Sequence, residues 1–225
     1  MRIAALSAVT GVSVATLKYY LREGLVHPGR ATAVNQADYD DTHVRRVRLV
    51  RALLELGHLS IADVAAVVAA VDDRHVPIHQ TFAIAQDAMA RPATPAIAAD
   101  DPRLGAARAM VDAFVTHHQL RVRPEAAVRD MLAGALVTLG EFGFVSFDPD
   151  TPAPYDDGTG PAQFEAFVEF FRTMAALELG SVPDTDRATQ TEVTVVGTVA
   201  VEVAMAAIRR MTLEDASHRR FGTGG

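Results

Sequence analysis

The side chains best spaced to contact another molecule lie between Ser13 and Lys18. Ser13 follows Thr10-Gly11-Val12 and precedes Val14-Ala15-Thr16-Leu17-Lys18-Tyr19-Tyr20. A serine there suits a helix N-cap, because its hydroxyl can accept an otherwise orphaned backbone N–H. Gly11 can take positive φ, so the chain can turn sharply before the cap. Ahead of it, Ile3 and Leu6 stand at i and i+3, as one helical face requires. Helix, glycine turn, helix is the helix-turn-helix pattern, whose second helix enters the DNA major groove by its N-terminal half. Ser13, Val14, Ala15, Thr16 and Lys18 are then the candidate DNA contacts. Thr16 can hydrogen-bond, Val14 and Ala15 can touch a thymine methyl, and Lys18 can reach guanine or phosphate. Leu17 should turn inward.

A second concentration is aromatic. Seven of the ten phenylalanines fall between Phe142 and Phe171, in a window that also holds Tyr155 and the acids Glu141, Asp148, Asp150, Asp156, Asp157, Glu165 and Glu169. Aromatic walls with carboxylates suit a lipophilic or cationic small molecule. Phe142, Phe144, Phe147, Tyr155, Phe164, Phe167 and Phe171 are the candidate ligand contacts. Phenylalanines at helical spacing equally suit a plain core, so a body that only dimerises or contacts another protein is the alternative reading.

Other chemistries find little support. The chain has no cysteine, hence no thiolate for a soft metal and no disulfide framework. His75 and His79 stand at i and i+4 and His117-His118 are adjacent, but neither pair carries the acids of a ligand set, so no metal is expected. There is no phosphate-cradling glycine loop, nucleophile elbow or zinc-helix motif, so neither an enzyme nor a cofactor is expected.

The remaining pattern is helical around one small hairpin. Gly24 can end the second helix. Residues 26–39 lack periodicity and contain Pro28, Gly29 and Asn35, which suits a two-stranded wing turning near Ala33–Asn35. Asp41 or Thr42 can cap the next helix, with Val44, Val47, Val50 and Leu54 as its apolar stripe and Arg45, Arg48 and Arg51 on another face. Ser60-x-x-Asp63 opens a further helix as a capping box. Ile78, Phe82, Ala85 and Met89 step by 4, 3 and 4 residues, a short coiled-coil seam. Stripes at Leu104–Phe114, Val128–Leu139 and Phe164–Phe171 predict three more helices, the last starting near Pro161. A long one follows from about Asp186 to Arg220, although its Thr/Val-rich middle would also suit a strand.

Charge supports two functional parts. The net charge is −7, yet residues 1–60 carry eight Lys/Arg against five Asp/Glu, while the rest carries thirteen against twenty-three. A basic head on an acidic body fits a DNA reader with a separate sensing or dimerising module. The apolar start Ile3–Leu6 is broken by Ser7 and Thr10. The run Val193–Ile208 contains Glu202 and falls short of the ~18 residues of a membrane span. A cytoplasmic protein without membrane contact is expected.

The series Thr10-Gly11-Val12-Ser13-x-x-Thr16-Leu17-Lys18-Tyr19-Tyr20-x-x-Glu23-Gly24-Leu25, Pro28-x-Arg30, Tyr39, Val44-x-Arg46-Val47 and Leu56-Gly57-x-x-Ser60-Ile61 resembles the MerR family of bacterial regulators over roughly residues 1–70. The resemblance implies a winged helix-turn-helix. It implies a homodimer held by an antiparallel helix pair after the head, for which Ile78, Phe82, Ala85 and Met89 are the candidates. It also implies a promoter bent and untwisted so that RNA polymerase can use it, which is readout by deformation. It adds Tyr19, Arg30, Tyr39 and Arg46 to the candidate DNA contacts. One departure stands out: where the family's wing has Gly-Tyr-Arg-x-Tyr, this chain has Asn35-Gln36-Ala37-Asp38-Tyr39. Asn35 can replace glycine at positive φ, but the wing arginine is gone and Asp38 would face phosphate. Arg30 and Arg46 should then carry more of the phosphate binding.

The expected architecture is all-α with a small two-stranded wing. Residues 1–72 form the DNA-binding domain, 73–100 a dimerisation helix and linker, and 101–225 a helical effector-binding or dimerisation domain.

Overall fold

In the computed structural model, which describes residues 1–33, 36–148 and 164–221, local sequence signals set the first elements. Helix α1 (Ile3–Thr10) ends at Gly11, whose φ of 70° only glycine adopts without strain. Ser13 Oγ accepts the Thr16 N–H at 3.1 Å and so caps α2 (Val14–Arg22). Leu17 and Tyr20 turn into the core. Gly24 (φ 71°) lets the chain leave α2, and Leu25 and Val26 are buried beneath it. Strands β1 (Arg30–Ala33) and β2 (Gln36–Asp38) pair antiparallel with Arg30 opposite Asp38. The wing tip, including Asn35, lies outside the described residues.

Helix α3 (Asp41–Arg51) is capped by Asp40 rather than by Asp41 or Thr42. Asp40 is the residue still in extended conformation, and its carboxylate accepts the Thr42 N–H at 3.0 Å. The helix continues into a wider π turn over Ala52–Leu56. Ser60 caps α4 (Ile61–Asp72), accepting the Asp63 N–H and donating to the Asp63 carboxylate. The core of this head is Leu6, Leu17, Leu25, Val47, Val50, Leu53, Val64 and Val67, all essentially inaccessible.

The last helix, α9 (Arg187–Phe221), also packs on the head, against α3, its π turn and α4. Its Thr/Val-rich start is helical because the threonines satisfy themselves locally. The hydroxyls of Thr191, Thr194 and Thr198 donate to the carbonyls four residues back at 2.7, 2.8 and 3.0 Å. Val195 and Val199 are buried, and beyond residue 206 every described side chain of α9 is exposed. By length and composition α9 could cross a membrane, with an 18-residue window of mean hydropathy 1.6, of which 28% is buried.

Residues Met1–Ile78 with Val182 onward form one compact unit, and His79–Ser181 a second. This division differs from boundaries at 72 and 100, because the final helix returns to the head. The second unit holds most of α5 (Ile78–Ala93), with α6 (Pro102–His117), α7 (Ala127–Glu141) and α8 (Glu165–Gly180). Its core is Ala107, Val111, Ala133, Leu136, Val137 and Val145. Ala85 and Met89 of the expected dimer seam are buried within the chain, whereas Phe82 and Ile78 are half-exposed. The whole is all-α with a small two-stranded wing.

Candidate nucleic-acid interface

Capping by Ser13 fixes which face of α2 looks outward. Ala15 and Lys18 are exposed, Val14, Thr16 and Tyr19 half-exposed, and Leu17 and Tyr20 buried. Thr16 Oγ1 lies 2.8 Å from Ser13 Oγ, so the threonine hydroxyl is held by the cap. The Arg22 guanidinium sits 5.2 Å from the Tyr19 ring centroid.

Between α2 and the wing lies a cleft of about 650 Å³, lined by Arg2, Lys18, Leu21, Ala31, Gln36 and Tyr39 among others. Its cations are Lys18 and Arg2. Sequence reasoning did not single out Arg2. Its Nη1 donates to Thr32 Oγ1 at 2.6 Å, and its Nε lies 3.7 Å from Asp38 Oδ1. On the other side of the same carboxylate, Arg30 Nη2 is 4.0 Å from Asp38 Oδ2, and the Arg30 side chain is 83% exposed. The acid at the wing is therefore bracketed by two arginines. A charge balance with distant N-terminal residues would have been the only signal in sequence.

Two expected contacts are corrected. Arg46 is only 4% exposed. Its Nε donates to Glu192 Oε1 at 3.0 Å, its Nη1 to Asp72 Oδ2 at 2.9 Å, and its Nη2 to Asp72 Oδ1. Burial works against its charge, but Asp72 and Glu192 outweigh burial and raise its pKa. A guanidinium so enclosed cannot reach phosphate; it ties α3 to α4 and α9. Tyr39 is 8% exposed, its ring edge-on to His43 at 5.1 Å between centroids. Its backbone N–H donates to the Met1 carbonyl at 2.7 Å, which anchors the wing base.

The wing base holds a further polar cluster. His27 precedes β1, and Asp40 and His43 follow β2. The two imidazoles lie 3.9 Å apart between centroids, tilted by 39°. Hydrogen bonds from Thr42 and His43 hold the Asp40 carboxyl well below the usual carboxylate range. Burial and the neighbouring His43 lower the pKa of His27.

In the second unit, α6, α7 and α8 form an apolar groove of about 440 Å³ between Phe114, Leu120, Leu132, Phe164, Phe167 and Phe171. Three of the expected ligand contacts thus come together. Phe142 and Phe144 instead stand exposed past the end of α7, while Phe147 packs on Gly140, where a Cβ would come within 2.5 Å of its ring. Tyr155 lies outside the described residues. The charged residue lining the groove is a cation, Arg172, not the carboxylate expected for a cationic ligand. Arg172 donates to the His118 carbonyl at 2.5 Å and lies 3.7 Å from Glu169.

Residues 1–71 match the family model described as MerR HTH family regulatory protein. Along its whole length the chain is similar to a crystal structure from Streptomyces coelicolor A3(2), that of SCO5550, provisionally described as a transcriptional regulator. The two share 28% identity, with 100% of each chain covered and a TM-score of 0.68. No curated protein matches the chain. The capped recognition helix, the wing and these likenesses agree: residues 1–71 are a MerR-type helix-turn-helix domain, and the chain is a DNA-binding transcriptional regulator.

Proposed function

We propose that the chain binds double-stranded promoter DNA as a homodimer in the cytoplasm and acts on RNA polymerase through the shape it imposes on that DNA. A small apolar molecule in the α6–α8 groove would bias its binding. The observation that carries the DNA reading is the α2–wing cleft, where Lys18 and Arg2 present cations beside the exposed face of α2, with Arg30 across Asp38 from Arg2. Lys18 reaches base edges or the adjacent phosphate, and Arg2 and Arg30 steady the backbone beside the wing. Neither a cofactor nor catalysis is part of this reading.

The ligand reading rests on the groove. Its volume lies within the range of small-molecule sites, and Phe167 and Phe171, each about half exposed, offer rings to a guest rather than to the core. This favours an effector over a body that only dimerises. Any effector must bind one arrangement of the dimer better than another, since equal affinity shifts nothing.

Duplexes selected from random sequence by the wild-type protein give the test. Lys18→Ala should weaken binding to the selected site by roughly ten-fold or more, as loss of a base or phosphate contact does. Equal binding by Lys18→Ala and wild type would remove the assignment. For the groove, an environment-sensitive apolar dye should bind wild type and lose affinity in Phe167→Ala/Phe171→Ala. A dye that binds both alike leaves a body without a ligand.

A further inference from the structure

We propose that the base of the wing is a binding site for a first-row divalent cation, held by His27, His43 and Asp40 and clasping the two ends of the wing together. One ligand atom from each of these residues lies within 4.8 Å of the others. His43 Nδ1 is 2.8 Å from Asp40 Oδ1, close to the spacing of neighbouring ligands on one small cation. His27 Nε2 lies 3.0 Å from Thr42 Oγ1, and that hydroxyl donates to Asp40 Oδ1 at 2.5 Å. Protons therefore bridge the groups that a cation would join.

The second observation is the burial of His43, which fixes the ring edge it turns to Asp40. His43 is 4% exposed, and its Nε2 is buried without a hydrogen-bond partner. Nδ1 faces both the Asp40 carboxylate and, at 3.1 Å, the Asp40 backbone N–H. Whichever Nδ1 engages, Nε2 stays unpaired, which is rare for a buried polar group. His43 therefore turns Nδ1 toward Asp40 as its ligating edge and keeps its proton on Nε2. His43 Nδ1 and His27 then ligate, and the Asp40 carboxylate completes a three-residue set. Arg46, which His27 feels electrostatically, does not repel the cation strongly, because Asp72 and Glu192 match its charge.

Two imidazoles and a carboxylate suit Zn²⁺, Ni²⁺ or Co²⁺ rather than Mg²⁺ or a thiolate-seeking ion. The placement gives the cation a task. His27 stands before β1 and Asp40 and His43 just after β2, so the clasp closes the loop that carries Arg30 and Asp38. The ion thereby sets the wing that flanks the DNA cleft.

The full-length chain, stripped of metal, is titrated with Co²⁺ by visible absorption and with Zn²⁺ by calorimetry and thermal shift. One equivalent should bind at roughly micromolar concentration, with nitrogen–oxygen d–d bands and a raised Tm. His27→Gln should weaken binding at least about ten-fold while folding as wild type does, because His27 is half-exposed. His43→Gln removes a helix-capping contact as well, so His27→Gln is the variant that decides. His75→Gln/His79→Gln should bind as wild type does. No binding at about a hundred micromolar, unchanged binding in His27→Gln, or loss in His75→Gln/His79→Gln would each overturn the proposal.

Discussion

Asp38 shows how one carboxylate governs the charge at the wing. It stands where the family carries its wing motif, and Arg2 and Arg30 lie 3.7 and 4.0 Å from it. Exposed ion pairs of this kind contribute little, about 0–1 kcal/mol, so neither arginine is locked away from phosphate. Arg2→Gln should therefore lower affinity for any duplex, specific or not. It should also make the fall of log K with log salt shallower by about 0.9, the release of one phosphate contact. Asp38→Asn should raise affinity, most at low salt. Fluorescence anisotropy over a salt series reads both. If Arg2→Gln leaves affinity and slope unchanged, Arg2 only braces Thr32 and the wing.

Among the elements, those with local signals were legible and those joined at long range were not. Gly11, Ser13, Gly24 and Ser60 act on neighbours within a few residues, so α1, α2 and α4 could be drawn from sequence alone. Arg46 could not be placed that way. On an amphipathic helix an arginine aimed at phosphate and one aimed at a buried carboxylate look alike, and its partner Glu192 lies 146 residues away. The return of α9 to the head was hidden for the same reason, as was the closeness of His27 to His43. In the body, helical spacing located the phenylalanine stripe of α8, but could not say that Phe147 packs inward while Phe142 stays exposed. The buried pair yields a prediction at this scale. Arg46→Ala leaves the enclosed Glu192 with only Arg45, 3.6 Å away, beside it; breaking a buried pair typically costs about 3–5 kcal/mol, and the remaining arginine places this loss at the lower end. The variant's thermal midpoint should fall by several degrees, whereas DNA affinity measured well below that midpoint should stay within about two-fold of wild type. The reverse pattern, an unchanged midpoint with lost DNA binding, would return Arg46 to the interface.

For the whole molecule, the exposed end of α9 bears on how two heads would be paired in the proposed dimer. From residue 200 to 221 the helix would extend about 33 Å, and it exposes Val203, Ile208 and Met211 at 44%, 50% and 60%. A helix without tertiary support is marginal in water, so this stretch calls for a partner. The charge order suits a second copy of the chain. Arg209-Arg210 precede Glu214-Asp215, so a second copy running antiparallel about Thr212 sets each basic pair against an acidic pair and Val203 opposite Phe221. Such a contact is self-complementary, as a two-fold dimer requires. The seam on α5 is less available, since Ala85 and Met89 are already buried in the chain. Light scattering should therefore find a dimer for wild type and a monomer for Ile208→Glu/Met211→Glu. Phe82→Glu should remain dimeric. The monomeric variant should bind an isolated half-site as wild type does and lose at least about ten-fold on a paired operator, because linkage makes the second head's binding intramolecular. A dimer that survives Ile208→Glu/Met211→Glu but not Phe82→Glu would move the interface to α5.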